Sequence, residues 1–297
     1  MLCLHGITYL LTGVWYYCAD NSCCNPQRKD CLRNMDISNI YSNKYDTVQK
    51  LLKIQPDGFA TGVYQGIQFT SVFQPIFNQQ LELVALEGLA RIKHTSGRKL
   101  DPARYFADLE RQVEINVVCT ILCCKLHLHN FSCSRFRRRK LFLNVSPCVF
   151  ELLANEPLAI ERFMTRIGEF GAMPSQIVFE ITEFKESDIR AIVVGKGKLA
   201  KFGVQTALDD YGTDYSTKDR ALEIKADYLK LDRSVLLCDE KISEAVTTAN
   251  KIGATTVAEG IENQDTLTRC QLHGVSLFQG FGLAKPNAMK ILESNLD

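Results

Sequence analysis

Charge of one prevailing sign is what this sequence lacks: 35 basic residues stand against 34 acidic ones, a net +1 over 297 residues. No global field therefore recruits a nucleic-acid polymer or an anionic membrane, and an anionic ligand must be held by a local site. There is also no repeat period and no low-complexity tract, which excludes a solenoid. The mostly apolar stretch from Leu2 to Ala19 has no basic segment ahead of it and is diluted by His5, Thr8, Thr12 and three tyrosines. A signal peptide or membrane anchor is thus the lesser reading. Twelve cysteines are present, but they include the adjacent pairs Cys23-Cys24 and Cys123-Cys124 and are scattered along a long chain. That is not the framework of a small secreted domain, and reduced thiols in a cytoplasmic protein are the simpler expectation.

What the chain does have is a composition of 46% hydrophobic and 23% charged residues, that of a soluble protein with a sizeable core. Its character changes near residue 66. Residues 1–66 read as an N-terminal extension of unknown role: Asp20 to Arg33 is polar and turn-rich, and Tyr45 to Ile54 reads as a short helix with apolar Val48, Leu51, Leu52 and Ile54. Residues 67–297 alternate. Strand-like runs fall at Ser71 to Phe77, Leu83 to Leu89, Leu141 to Val145, Ile177 to Ile181, Val204 to Leu208, Tyr228 to Leu231, Thr255 to Ala258 and Ser276 to Phe278. Helix-length segments lie between most of them: Pro102 to Leu126, Glu156 to Phe170, Ile189 to Lys201, Ser234 to Lys251 and Gln264 to Leu272. Such alternation predicts an α/β fold, and about eight strands in this length fit a TIM-like (β/α)8 barrel better than an open sheet.

Most of these strands contain or run into a polar residue that a buried strand would not otherwise tolerate: Glu87, Asn144, Glu180, Asp209 and Asp210, Lys230, Glu259 and Gln279. Barrel active sites gather at the C-terminal ends of strands, so these groups would share one mouth. Five carboxylates converging there need neutralising, and hard oxygen donors with the Asn144 amide, without Cys or His, favour Mg2+ or Mn2+ over Zn2+. Adjacent Asp209 and Asp210 could serve two ions.

The segments FQPIF (Phe73 to Phe77), LEGLAR (Leu86 to Arg91), LNVSP (Leu143 to Pro147), FEITE (Phe179 to Glu183), DDYGTDYST (Asp209 to Thr217), DYLKLDRS (Asp227 to Ser234), VAEGIEN (Val257 to Asn263) and FQGFGLAKP (Phe278 to Pro286) resemble, in order and spacing, the signature series of EAL-domain cyclic di-GMP phosphodiesterases. The resemblance implies that Glu87, Asn144, Glu180 and Asp209 bind one metal and that Asp210 and Glu259 help hold a second. It implies a catalytic role for Lys230, promotion of water deprotonation by Glu259 or by the metals themselves, substrate contacts from Gln74 and Arg91, and water or metal ordering by Gln279. Glu183 corresponds to an anchor of the loop after Asp210, and Asp232 and Glu262 to supporting carboxylates. The implied reaction is in-line hydrolysis of cyclic di-GMP to linear pGpG, and the implied partner is a second copy of the chain in a homodimer.

Two positions depart from the family pattern. Glycine replaces alanine at Gly88, and aspartate replaces the usual glycine at Asp214, where a left-handed backbone and an added carboxylate bear on turnover. A silent cyclic di-GMP receptor and a protein-interaction module are the alternative functions. Taken singly, each strand carboxylate reads as a helix cap or salt bridge, and only the set points to metals. Cys119, Cys123, Cys124, His127, His129 and Cys133 have metal-ligating types, yet their spacing makes no tidy ligand set and Cys119 and Cys123 read as small core residues on a helix, while Cys18, Cys23, Cys24 and Cys31 leave a metal or disulfide staple open. The run Arg135, Arg137, Arg138, Arg139 and Lys140 has Phe136 as its single aromatic, no series of stacking platforms, and reads as a solvated face.

Overall fold

The computed structural model describes residues 9–11, 14–16, 48, 50–182, 188–213 and 216–296. The chain divides into two compact units, residues 1–42 and 43–297. In the first, β1 (Tyr9–Leu11) and β2 (Val14–Tyr16) form an antiparallel hairpin. Cys18, Cys23, Cys24 and Cys31 lie outside the described residues, as do Glu183 and Asp214.

The second unit opens with β3 (Leu52–Ile54), β4 (Ala60–Tyr64), β5 (Ile67–Phe77), β6 (Leu83–His94) and β7 (Lys99–Leu100). The short helix expected up to Ile54 gives way at Leu52: residues 52–54 pair with Ala60–Gly62 through the turn in which Gln55 N–H donates to Phe59 O. A tertiary strand partner has overridden local helical spacing. Helices α1 (Pro102–Asp108) and α2 (Val113–Ser132) follow, where one helix was expected over 102–126. The break falls at Leu109–Gln112, and α2 then runs on past Leu126.

From there strand and helix alternate: β8 (Lys140–Val145), α3 (Pro147–Asn155), α4 (Pro157–Glu169), β9 (Ile177–Ile181), α5 (Ile189–Ala200), β10 (Gln205–Tyr211), α6 (Lys218–Ile224), β11 (Tyr228–Leu231), α7 (Asp239–Ile252), β12 (Thr255–Ala258), α8 (Gln264–Leu272), β13 (Leu277–Phe278) and α9 (Met289–Asn295). The segment expected to be helical from Ser234 holds a single 3-10 turn at 235–237 before α7 starts.

Eight strands close a barrel in the order β5-β6-β8-β9-β10-β11-β12-β13, with β13 returning to β5. All neighbours are parallel except those of β5, which runs antiparallel to both β6 and β13. No helix separates β5 from β6. A tight turn joins them instead, with Asn78 Oδ1 accepting from the N–H groups of Gln80 and Glu82. The fold is therefore the expected TIM-like barrel with its first strand inverted.

Period-two alternation along strands sorts their side chains into layers. One inward layer is apolar and takes one residue from each strand: Ile76, Ala85, Phe142, Val178, Ala207, Tyr228, Val257 and Leu277. A second core lies outside the ring, where β3, β4 and the far halves of β5 and β6 meet α1 and α2 around Phe69, Ile92, Leu109, Cys119, Leu122 and Leu126. Cys119, Cys123, Cys124, Cys133, Cys148, Cys238 and Cys270 are free thiols, and burial raises Cys119 to about 11 and Cys124 to about 12. Among the described residues, no helix is long and apolar enough to cross a membrane.

Candidate active site

Two residues along each barrel strand from the apolar floor stands a polar side chain: Glu87 above Ala85, Asn144 above Phe142, Glu180 above Val178, Asp209 above Ala207, Lys230 above Tyr228, Glu259 above Val257 and Gln279 above Leu277. On inverted β5 the order reverses, and Gln74 precedes Ile76. A full ring of eight polar residues thus sits on a full ring of eight apolar ones, each held by a backbone ladder and not by a flexible loop.

The ring is organised around Lys230, buried at 1% exposure. Its Nζ lies 2.6 Å from Glu180 Oε1, 2.8 Å from Asp209 Oδ1, 2.9 Å from Glu259 Oε1 and 3.8 Å from Glu87 Oε1. Asn144 Nδ2 donates to Glu87 Oε1 at 3.1 Å and Gln279 Nε2 to Glu87 Oε2 at 2.6 Å. The neutralising cation foreseen for these carboxylates is thus, in part, the chain's own ammonium. Burial works against the charge on Lys230, but the surrounding carboxylates outweigh it and hold its pKa above the ordinary lysine value. Glu180 is raised by its complete burial and by neighbouring Glu87 and Asp209, and Glu259 is pushed up to about 8, chiefly by burial. For Glu87 burial pulls upward too, yet Lys230 and its two amide donors leave its pKa below the usual carboxylate value.

The connections that follow the strands are locked to one another. Ser216 Oγ donates to Asp209 O, and Gly212 N–H donates to Ser216 O. Asp210 adopts φ +51, a conformation aspartate tolerates better than most residues. Ile261 N–H donates to Gln279 O and Gly282 N–H to Ile261 O. A Cβ at Gly280 would fall inside the Ile261 backbone, so glycine there is what lets the segments after β12 and β13 lie together, with Glu259 beside Gln279. Asn263 caps α8 and Thr217 caps α6 through side-chain oxygens.

Gln74, in the ring, is buried and donates to Ala284 O at 3.3 Å. Other residues singled out from sequence are not part of the ring. Arg91 is exposed on β6, four residues on from Glu87, with Nη1 on Ala90 O. Asp232 caps Ser234 N–H, and Glu262 makes a two-pronged, half-exposed pair with Arg233. Neither of these carboxylates is among the groups around Lys230.

The donor chemistry fits a hard divalent cation. Among the described residues, Asp209, Asp210 and Glu259 form the one group of potential ligands whose oxygens lie within 4.8 Å of one another. Glu180 Oε2 and Gln279 Oε1 are buried acceptors with no hydrogen-bond donor, an arrangement that costs stability unless something positive satisfies it. The cysteine- and histidine-bearing helix shows no such convergence: His129 Nε2 bonds Gly58 O, and Cys119 packs in the flanking core. The arginines of the 135–139 run are exposed, and Gln176 Nε2 ties the Arg137 and Arg139 carbonyls beneath β8.

Sequence reasoning grouped His127 with the cysteine-bearing helix and missed where it packs. On α2, it lies against Gly88 on the outer face of β6. The glycine at 88 was the only trace of that contact in the sequence.

Comparison with known proteins places these features in company. The profile of the EAL domain matches residues 62–286. The cyclic di-GMP phosphodiesterase RocR of Pseudomonas aeruginosa is 29% identical over 225 residues, 69% of this chain and 53% of that protein. The cyclic di-GMP phosphodiesterase PdeB of Shewanella oneidensis is 26% identical over 276 residues, 82% of this chain and 30% of that one. The chain therefore spans about half, or less, of the length of these curated relatives. Among solved structures, the Bacillus subtilis YkuI protein, with an EAL domain and in complex with cyclic di-GMP and calcium, aligns with a TM-score of 0.65 at 23% identity, covering 76% of this chain and 59% of its own. Klebsiella pneumoniae BlrP1 in a manganese and cyclic di-GMP complex aligns at 0.63 and 21% identity, covering 80% and 58%.

Proposed function

The chain belongs to the EAL domain family, and from that premise we propose that its barrel hydrolyses cyclic di-GMP to linear pGpG with the help of Mg2+ or Mn2+. The observation that carries this reading is the convergence of Glu87, Glu180, Asp209 and Glu259 on one buried ammonium, with further acceptors left without donors. Glu87, Asn144, Glu180 and Asp209 would hold one ion, and Asp210 with Glu259 would help hold a second. Bound ions would supply Lewis acidity toward water and the anionic phosphate.

The chain's own groups divide the remaining work. Lys230 presents positive charge, fixed in place by four carboxylates, to charge developing on the phosphate, and such preorganised charge acts without reorganising during the reaction. Glu259 is the carboxylate placed to accept a proton from the attacking water, because it is the more exposed partner of Lys230 Nζ (20% against 0% for Glu180). Gln279 and Asn144 hold Glu87 in one orientation. Gln74 at the ring and Arg91 on the far half of β6 would contact the dinucleotide, arginine through a planar fork suited to phosphate or guanine edges. The same reading includes a homodimer in the cytoplasm, with residues 1–66 as an N-terminal extension of unknown role whose β3 and β4 pack within the barrel's own unit.

Incubating the purified chain with cyclic di-GMP and Mg2+ or Mn2+, and following pGpG by chromatography, tests it. Turnover that disappears in Glu87→Ala is the expected result. Binding without turnover would recast the barrel as a receptor, and recovery of turnover in Asp214→Gly would then locate the cause in the loop after Asp210.

A further inference from the structure

Strand β6 carries Glu87 on its inner face and Gly88 on its outer one, where α2 packs. An ideal Cβ built on Gly88 falls 2.9 Å from both Cβ and Cγ of His127, closer than real Cβ atoms approach. The imidazole therefore rests on the β6 backbone itself, in space that the alanine usual for the family would occupy. The same ring is tied to β5. Its Nδ1 lies 2.7 Å from Ser71 Oγ, and it meets Phe73 edge-on at 6.0 Å between centroids. Phe73 is the register partner of Gly88, and the next pair in the ladder is Gln74 with Glu87. Asn130, one turn along α2, donates to Ser71 Oγ and clamps the backbone of Ala60 through both ends of its amide. Ser71 Oγ, having accepted from Asn130, is free to donate to Nδ1, which burial keeps unprotonated by lowering the imidazole to about 3.

We infer that His127 is a positioning residue for Glu87: it fills the volume opened by Gly88 and fixes the β5–β6 backbone one residue from the carboxylate, so that glycine 88 and histidine 127 work only as a pair. The inference rests on the reading of Glu87 as a metal ligand. It has a counterintuitive corollary, namely that restoring the family's alanine at 88 damages the site while His127 is present.

The test is Mn2+ affinity, read from the electron paramagnetic resonance signal of free Mn2+, for wild type, Gly88→Ala, His127→Ala, His127→Asn and the double variant Gly88→Ala/His127→Ala. Circular dichroism at the same temperature confirms that each is folded. Loss of support around a metal ligand weakens affinity about tenfold or more, and that is the expectation for Gly88→Ala. The double variant should return to within about threefold of wild type, since coupled neighbours are non-additive. His127→Asn, whose amide can replace Nδ1 toward Ser71, should lie closer to wild type than His127→Ala, which keeps the proposal testable if Gly88→Ala does not fold. Unchanged Mn2+ affinity in Gly88→Ala or in His127→Ala, or losses that simply multiply in the double variant, would overturn it. A wild type that binds no Mn2+ would overturn the metal reading and this inference together, and so is told apart from failure of the inference alone.

Discussion

Two buried polar clusters share the β5–β6 hairpin, one on each face. On the inner face, four carboxylates surround a single ammonium, two amides hold one of them, and two buried acceptors, Glu180 Oε2 and Gln279 Oε1, have no donor. On the outer face, Asn130 bonds the Ala60 backbone and Ser71, and Ser71 bonds His127 Nδ1, in a neutral chain. Each has buried members, Lys230 and Glu180 inside and His127 and Asn130 outside, beside partly exposed ones, so burial alone distinguishes nothing. The difference lies in charge balance and in acceptors left over: the outer cluster is what folding builds when it needs only to close a seam, and the inner one is what remains when part of the pairing is reserved for a ligand.

The comparison breaks most visibly at Lys230. Lys230→Met removes the one cation from the inner cluster, and breaking a buried ion pair costs about 3–5 kcal/mol. Urea unfolding without added metal should show that loss, and a change below about 1 kcal/mol would mean the carboxylates are not held by the ammonium. Next in size is the response to metal. Mn2+ at a hundred times its dissociation constant should stabilise the fold by about 2.7 kcal/mol by mass action. A thermal melt that rises with Mn2+ in wild type and Asn130→Ala, but not in Asp209→Ala, would assign that effect to the inner face. Asn130→Ala strips the partners from the Ala60 N–H and C=O, and should cost about 1–3 kcal/mol without abolishing Mn2+ binding.

The smallest effect comes from pH. His127 titrates near 3 when folded against 6.5 as its unperturbed value, so the unfolded chain binds the extra proton first. Stability from this group is intact above about pH 6.5 and falls as acid is added toward pH 3, by about 1–2 kcal/mol at pH 5.5. Comparing urea midpoints at pH 7.5 and 5.5 in wild type and His127→Asn isolates it, because the asparagine should lose that share of the pH dependence.

The inner ring was largely legible because it violates local expectation. A carboxylate or lysine inside a short apolar run, at Glu180 or Lys230, has no reason to be there unless several such strands meet. Its geometry then follows from period-two alternation. The inverted first strand could have been read from the five residues between Phe77 and Leu83, too few for a crossover helix, yet alternation elsewhere in the chain favoured a regular repeat. The strand at Leu52–Ile54 was not legible from helical spacing, since its hairpin pairing with Ala60–Gly62 decides it, and the break after Asp108 has no Gly or Pro to announce it. His127 was hidden for a different reason. A buried, neutral histidine looks in sequence like any helical residue, and the signal for its packing sits 39 residues away, as a missing methyl at Gly88.

Inversion of the first strand also has a practical side. In the seven other strands, the connection that follows the strand leaves beside the reacting groups, whereas the turn from Asn78 to Glu82 emerges at the opposite pole, under the apolar floor. It is the one place after a barrel strand where foreign sequence, a tag or a fluorescent reporter, can be spliced without crowding incoming substrate.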